Sequence, residues 1–274
     1  MQSRPFGPTG QSVSKIGLGT WNIESAPRAE GIELGINHID TAEMYGSGEA
    51  ERVVGEVIVG VRDKVFVVSK VLPSNATKSG TIQACERSLK NLGTDHLDCY
   101  LLHWRGRHPL TETVAAFDQL QRAGKILSWG VSNFDVADLE DMGRVSDPGR
   151  MVCNQVLYHP EERAIEHAVI PWCQARGVAV VAYSPFGSGS FPKPSSSGGR
   201  VLARIASVHG VSTRAVALAY LTRMPGVFAI PKSAKVVHVA ENATAGDLDL
   251  NGAEMAALDA AFPRGPKPRS LPMI

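Results

Sequence analysis

Cysteine is scarce in this chain of 274 residues, and the four present (Cys85, Cys99, Cys153 and Cys173) form no Cys-x-x-Cys pair. Without such pairs, and with no histidine cluster at ligand spacing, the pattern argues against a zinc site, a thiol redox motif or a disulfide framework, and no metal is expected. Each cysteine lies among apolar neighbours and reads as a small buried hydrophobe. Charge of one sign is missing too. Lys and Arg number 28 against 27 Asp and Glu, a net +1, which gives no field to draw nucleic acid. No apolar run approaches the roughly 20 residues of a membrane span. Met1–Gly10 carries Arg4, two prolines and two glycines, without the apolar centre of a secretory signal. A cytoplasmic monomer is expected, and the glycosylation-like triplets at Asn75 and Asn242 carry no weight. Two nucleotide-binding turns are also lacking. Gly17-Leu18-Gly19 runs into Thr20-Trp21-Asn22 instead of completing Gly-x-Gly-x-x-Gly, and there is no phosphate loop of the Gly/Lys type.

What is present is a strand–helix alternation on 43% hydrophobic residues. Short β-rich runs fall at Lys15–Gly19, Asn37–Asp40, Val65–Lys70, Leu97–Leu102, Ile126–Val131, Met151–Val156, Val178–Tyr183 and Val227–Ile230. Most are continuously apolar, as parallel strands buried on both faces should be. Amphipathic stretches lie between them, at Gly48–Val59, Thr81–Asn91, Thr111–Ala123, Ala164–Ala175 and Thr213–Thr222. Thr111 reads as an N-cap with Glu112 in the first turn, and Gly35, Gly93, Gly124 and Gly177 read as helix-ending glycines. Eight such units predict an α/β fold, an (α/β)8 TIM barrel, as one domain over residues 1–274. Pro5–Ser14, with its Gly-Pro-Thr-Gly turn, is expected to be an N-terminal β-hairpin capping the barrel bottom. Pro192–Gly199, rich in Ser and Gly, is expected to be a mobile loop too polar to pack.

In such barrels chemistry gathers where strands end. Strand two ends in Asp40-Thr41-Ala42-Glu43-Met44-Tyr45-Gly46, strand three in Ser69-Lys70 and strand four in His103-Trp104. Singly, each polar residue has an ordinary explanation: a turn cap, a solvent-reaching lysine, a packing tyrosine, a satisfied core histidine. Together on successive strands they read as a site. An ammonium beside a phenol should lower its pKa from about 10, and a carboxylate behind the lysine should keep it charged. Tyr45 then donates a proton to a carbonyl oxygen, while an imidazole orients that oxygen or shares the transfer. The missing electron source is met by hydride from a nicotinamide.

Gly17-Leu18-Gly19-Thr20-Trp21, Asp40 to Gly46, Leu102-His103-Trp104, Gly130-Val131-Ser132-Asn133-Phe134, Asn154-Gln155-Val156, Tyr183-Ser184-Pro185-Phe186 and Ile230-Pro231-Lys232-Ser233 resemble, in order, the successive motifs of aldo-keto reductases. The resemblance implies NADPH-dependent reduction of a small carbonyl, with Asp40, Tyr45, Lys70 and His103 as the catalytic tetrad and NADP(H) as cofactor. It implies that Ser132, Asn133 and Gln155 hold the carboxamide and that the ring stacks on Tyr183. Ser184, Pro185, Phe186, Gly187 and Ser188 resemble the loop over the pyrophosphate. Lys232 and Ser233 resemble the 2′-phosphate clamp, and Glu241 and Asn242 the adenine contacts. Gly19, Thr20, Trp21, Asp40 and Ile230 fall in the same cofactor-binding motifs, while Trp21 and Trp104, with Tyr45 and His103, match the substrate pocket.

The chain departs from the family pattern at His238, where the family usually has an arginine for the 2′-phosphate. Histidine is largely neutral at physiological pH; Lys235 offers a compensating point charge, or the two are incidental residues of a surface helix. The Trp21–Asp40 interval is about one helical turn short for the family, so the helix near Arg28–Leu34 should be stubby. Arg105-Gly106-Arg107-His108 makes a basic mouth, either a solvated rim or a seat for an anionic substrate, and Arg264, Lys267 and Arg269 add charge in the tail. Two other readings stand beside the reductase: a Schiff-base aldolase using Lys70, and a non-catalytic nicotinamide-binding regulatory subunit.

Overall fold

The computed structural model describes residues 1–23 and 28–274. A short antiparallel hairpin, β1 (Ser3–Pro5) and β2 (Ser12–Ser14), precedes a parallel sheet of eight strands in sequence order. These are β3 (Leu18–Gly19), β4 (His38–Asp40), β5 (Phe66–Val71), β6 (Leu97–Leu102), β7 (Ile126–Ser132), β8 (Met151–Leu157), β9 (Ala179–Tyr183) and β10 (Val227–Ala229). The sheet curls until its two edges meet. Gly17 N–H donates to Ala229 O at 2.8 Å, Ala229 N–H to Lys15 O at 3.1 Å and Gly19 N–H to Pro231 O at 3.1 Å. Around the sheet run α1 (Arg28–Glu33), α2 (Glu49–Ile58), α3 (Lys78–Leu92), α4 (Leu110–Arg122), α5 (Val136–Val145), α6 (Val169–Gln174), α7 (Ser197–His209), α8 (Thr213–Leu221), α9 (Val236–Thr244) and α10 (Gly252–Ala261). Among the described residues no helix is long and apolar enough to cross a membrane. The short α1 agrees with the shortened interval before Asp40; positions 24–27 of that interval lie outside the described residues.

Side chains alternate faces along a strand, and this alternation selects the site. On β5, Phe66 and Val68 point inward to a cluster with Phe6, Cys99, Leu101 and Phe228, whereas Val67 and Val71 pack outward against the helices. Lys70 follows Phe66 and Val68 at the same parity. The inward series are likewise His38–Asp40 on β4, Cys99–Leu101–His103 on and just past β6, Cys153–Gln155 on β8 and Val181–Tyr183 on β9. Apolar residues and the buried His38 fill the lower layers, and a polar residue ends each series at the top. The hairpin closes the opposite end as anticipated: Phe6 is fully buried, its ring 4.6 Å from Phe66 and 5.0 Å from Phe228. Gly7, at φ +56°, is required there because a Cβ would strike the Val152 carbonyl.

The structure corrects several local expectations. Thr111 does not cap α4; the helix begins at Leu110 behind Pro109, and Glu112 in its first turn accepts from Lys78 N–H at 2.9 Å. Ala164–Ala175 is not one helix but a 3-10 turn, Ala164–His167, followed by α6. Pro171 has no N–H to continue an α-helical ladder back to His167. Pro192–Gly199 is not too polar to pack. Ser196 caps α7, accepting from Gly199 N–H at 3.0 Å, and Gly198 and Gly199 are buried in the first turn of that helix. The helix-ending glycines hold: Gly35, Gly93, Gly124 and Gly177 all have positive φ.

Candidate active site

Four polar strand ends meet at the top of the curled sheet. Lys70 is fully buried, and its Nζ donates to Asp40 Oδ1 at 2.6 Å, to Thr41 O at 2.8 Å and to Tyr45 Oη at 3.3 Å. Asp40 Oδ2 accepts from Gln155 Nε2 at 2.7 Å. The carboxylate thereby ties β4 to β5 on one side and to β8 on the other. The Tyr45 ring meets Trp21 edge-on at 4.9 Å and His103 at 5.8 Å between centroids, and His103 leans on Trp104 at 4.9 Å.

Burial and charge set the protonation states. Burial acts to lower the Lys70 pKa, but Asp40 and Tyr45 at hydrogen-bond distance together outweigh it, so the pKa is raised and the ammonium is held. For Tyr45 the outcome differs from the sequence expectation. Burial raises the phenol above its ordinary value of 10.0, and the opposing pull of Lys70 recovers only part of that. Tyr45 therefore keeps its proton at neutral pH. Burial first, then the Lys70 charge, drive His103 down to about 2, leaving a neutral imidazole.

A cavity of about 600 Å³ opens over these groups. Its floor carries Ser132, Asn133 and Gln155, and its walls Trp21, Trp104 and Tyr183. The Tyr183 hydroxyl donates to Asn133 Oδ1 at 2.8 Å, Asn133 Nδ2 donates to His103 O at 3.2 Å, and Ser132 Oγ donates to Gln155 O at 2.9 Å. The Gln155 side chain spends Nε2 on Asp40, while its Oε1 makes no hydrogen bond among the described residues. Neutral amides and a hydroxyl at one end, an aromatic ring beside them and Lys232 at the far end form a donor set that fits a nicotinamide dinucleotide. Five non-glycine residues adopt positive φ among the described residues: Asn22, Ser47, Asn133, Ser184 and Ser188. All but Ser47 line this cavity, and Ser47 belongs to the turn that carries Tyr45. Strain of about 1–3 kcal/mol per residue, gathered on one rim, marks a functional surface.

Gly19, Thr20, Asp40, Ser184, Pro185, Phe186, Ser188 and Ile230 also line the cavity. Lys70 does not; it stands behind Tyr45. Gly187, Ser233, His238, Glu241 and Asn242 stand outside the lining. Gly187, at φ +70°, shapes the loop after β9. The Ser233 hydroxyl is spent on the turn into α9, donating to Lys235 O at 3.0 Å. His238, Glu241 and Asn242 lie on α9, with His238 exposed and Asn242 buried. Arg105 and Arg107 do not reach the cavity, and Arg105 is tied to Asp138 at 3.1 Å and Asp141 at 2.8 Å on α5. Sequence reasoning missed Asn22, Met44, Gly189, Met273 and Ile274 as lining residues. The first three adjoin quoted motifs and were within reach. Met273 and Ile274 carried no signal, because only the fold brings the chain's last residues back to the rim.

This rim, strained where it lines the cavity and centred on a buried Asp–Lys–Tyr chain, coincides with a family match over residues 15–262, and the chain belongs to the aldo/keto reductase family. It is 44% identical over 272 residues to methylglyoxal reductase YeaE of Escherichia coli, covering 96% of each chain. It is 33% identical to a glyoxal reductase of Bacillus subtilis, over 92% of this chain and 90% of that one. A crystal structure of an aldo-keto reductase from Klebsiella pneumoniae in complex with NADPH superposes with a TM-score of 0.92 at 42% identity, covering 100% of both chains.

Proposed function

We propose that this chain reduces a small uncharged aldehyde or ketone to the alcohol, with Tyr45 as proton donor, on a closed (α/β)8 barrel acting as one domain. The observation that carries the reading is the Lys70 ammonium held between Asp40 at 2.6 Å and the Tyr45 hydroxyl at 3.3 Å, with Tyr45 on the cavity wall. Ser132, Asn133, Gln155 and Lys232 would hold NADPH along the cavity, and the bound nicotinamide would supply hydride. Tyr45, protonated at neutral pH, gives its proton to the carbonyl oxygen as negative charge develops there. Lys70 stabilises the phenolate left behind, and Asp40 keeps Lys70 in place. The neutral His103 orients the oxygen rather than donating as an imidazolium. Trp21, Met44, Trp104 and Phe186 make the substrate end apolar. The proposed range includes short α-oxo aldehydes, a reading supported by the likeness to a methylglyoxal reductase and a glyoxal reductase.

A Schiff-base mechanism requires a neutral amine, and Lys70 is held protonated with all three of its N–H donors engaged. The test is oxidation of NADPH against a panel of aldehydes, ketones and keto acids, with the product identified. Alcohol formed in step with NADPH consumption supports the reading. NADPH binding with no turnover on any carbonyl would leave the regulatory-subunit reading in its place.

A further inference from the structure

Glu43 lies in the segment that carries Tyr45, and its side chain is only 10% exposed. The parallel register pairs His38 with Phe66, Ile39 with Val67 and Asp40 with Val68; continued past the end of β4, it sets Glu43 opposite Val71. In a parallel ladder a residue donates to the carbonyl before its partner and accepts, through its own main-chain oxygen, from the amide after it. The donating half is intact: Thr41 N–H bonds Val68 O at 2.9 Å, and Glu43 N–H bonds Lys70 O at 3.3 Å. The accepting half is not made by the Glu43 main chain. Leu72 N–H instead donates to Glu43 Oε1 at 2.7 Å. The side-chain carboxylate therefore stands where the strand's own carbonyl would be. Freed from the ladder, the chain turns: Tyr45 N–H bonds Ala42 O at 3.0 Å and Ser47 N–H bonds Met44 O at 3.3 Å. Gly46, Ser47 and Gly48 then run left-handed at φ +56°, +54° and +90°. Asn75 Nδ2 reinforces Oε1 at 2.9 Å, and Arg87 reaches Oε2 at 3.2 Å from a side chain that is 55% exposed.

We infer that Glu43 is the positioning residue for the proton donor: its carboxylate completes the β4–β5 ladder while the backbone leaves it, and this fixes Tyr45 against Lys70. The inference rests on the reading of Tyr45 and Lys70 given above. Ladder completion needs an acceptor of this length and not a charge. Glu43→Gln keeps an amide oxygen at the same reach, while Glu43→Ala leaves the Leu72 N–H without its acceptor.

The experiment compares Glu43→Ala, Glu43→Gln and Arg87→Ala in two measurements. In the cofactor-free protein, amide hydrogen exchange at Leu72 and across 43–48 should quicken in Glu43→Ala and stay near wild type in the other two. In turnover, Glu43→Ala should lose about tenfold in kcat, the scale of one unsatisfied donor, with the NADPH dissociation constant little changed and the melting temperature lowered by only a few degrees. Glu43→Gln should restore most of that loss. Unchanged exchange in Glu43→Ala, or an equal kcat loss in Arg87→Ala, would overturn the inference, the latter by showing that the ion pair matters and not the ladder. A wild-type protein that reduces no carbonyl would overturn the functional reading instead, and the exchange data would still decide whether Glu43 fastens the segment.

Discussion

The Lys70 ammonium lies 3.3 Å from the Tyr45 hydroxyl, with Asp40 gripping it at 2.6 Å on the other side. Removal of either the acid or the ammonium should be equally damaging. Tyr45→Phe and Lys70→Met are each expected to lower kcat on the order of 10²- to 10⁴-fold, the usual worth of a positioned general acid. NADPH affinity, followed by quenching of tryptophan fluorescence, should stay near wild type in Tyr45→Phe. Wild-type turnover in either variant would remove that residue from the mechanism.

The pH profile follows from the same burial. Tyr45 is held above its ordinary value of 10.0 and His103 is pushed down to about 2. Neither group changes charge near neutrality, so kcat for reduction should be flat between about pH 6 and 9. A limb centred near 6.5 that vanishes in His103→Gln would show an imidazolium donating, contrary to the neutral role assigned here.

His38 gives a stability prediction. It is fully buried among the Phe6, Phe66 and Phe228 rings, neither ring nitrogen has a partner among the described residues, and burial lowers its pKa to about 3. The unfolded chain binds this proton below about 6.5, while the folded chain refuses it until about 3. Stability is therefore unaffected above the unfolded value and falls as pH drops through that window, by up to about 1.4 kcal/mol per pH unit. Urea melts at pH 7 and pH 5 should show a smaller pH-dependent loss for His38→Phe than for wild type. An equal loss would place the acid sensitivity elsewhere.

Cofactor choice turns on Lys232 at the cavity and on the exposed Lys235 and His238 beside it. NADPH should bind more tightly than NADH, and His238→Arg should widen the gap by roughly fivefold, as expected of one exposed charge contact worth about 1 kcal/mol. Fluorescence titration measures both constants. Equal values for the two dinucleotides would refute the preference.

Much of the site was legible because a strand's alternation is written in its residues. Phe66, Val68 and Lys70 share a parity, so an apolar series ending in a lysine could be read directly as a core ending in a site. What stayed hidden depended on distant chain segments or on geometry. Met273 and Ile274 reach the rim only by the path of the folded tail. Ser196 and Gly199 looked like loop because a small polar cap and glycines in a helix's first turn have the composition of a linker. The sign of the Tyr45 shift needed the depth of burial, which outweighs the neighbouring charge. Arg105 read as either solvated rim or anion seat, and only the fold, by bringing Asp138 and Asp141 of α5 beside it, decides between the two.

That last pairing carries its own test. With Arg105 held by two carboxylates and Arg107 outside the cavity, replacing both with alanine should change KM by less than about threefold. The change should be the same for a neutral aldehyde and a carboxylated one. A selective rise for the carboxylated substrate, fading with salt, would restore these arginines to substrate binding.

The most direct test of the central claim follows the hydride itself. Turnover with NADPH carrying deuterium on the transferring face of the nicotinamide, and mass analysis of the alcohol formed from a short aldehyde, reports where the electrons came from. The account predicts one deuterium on the former carbonyl carbon with wild-type protein, and almost no alcohol with Tyr45→Phe over the same time. Unlabelled alcohol, or labelled alcohol at an undiminished rate from Tyr45→Phe, would contradict it.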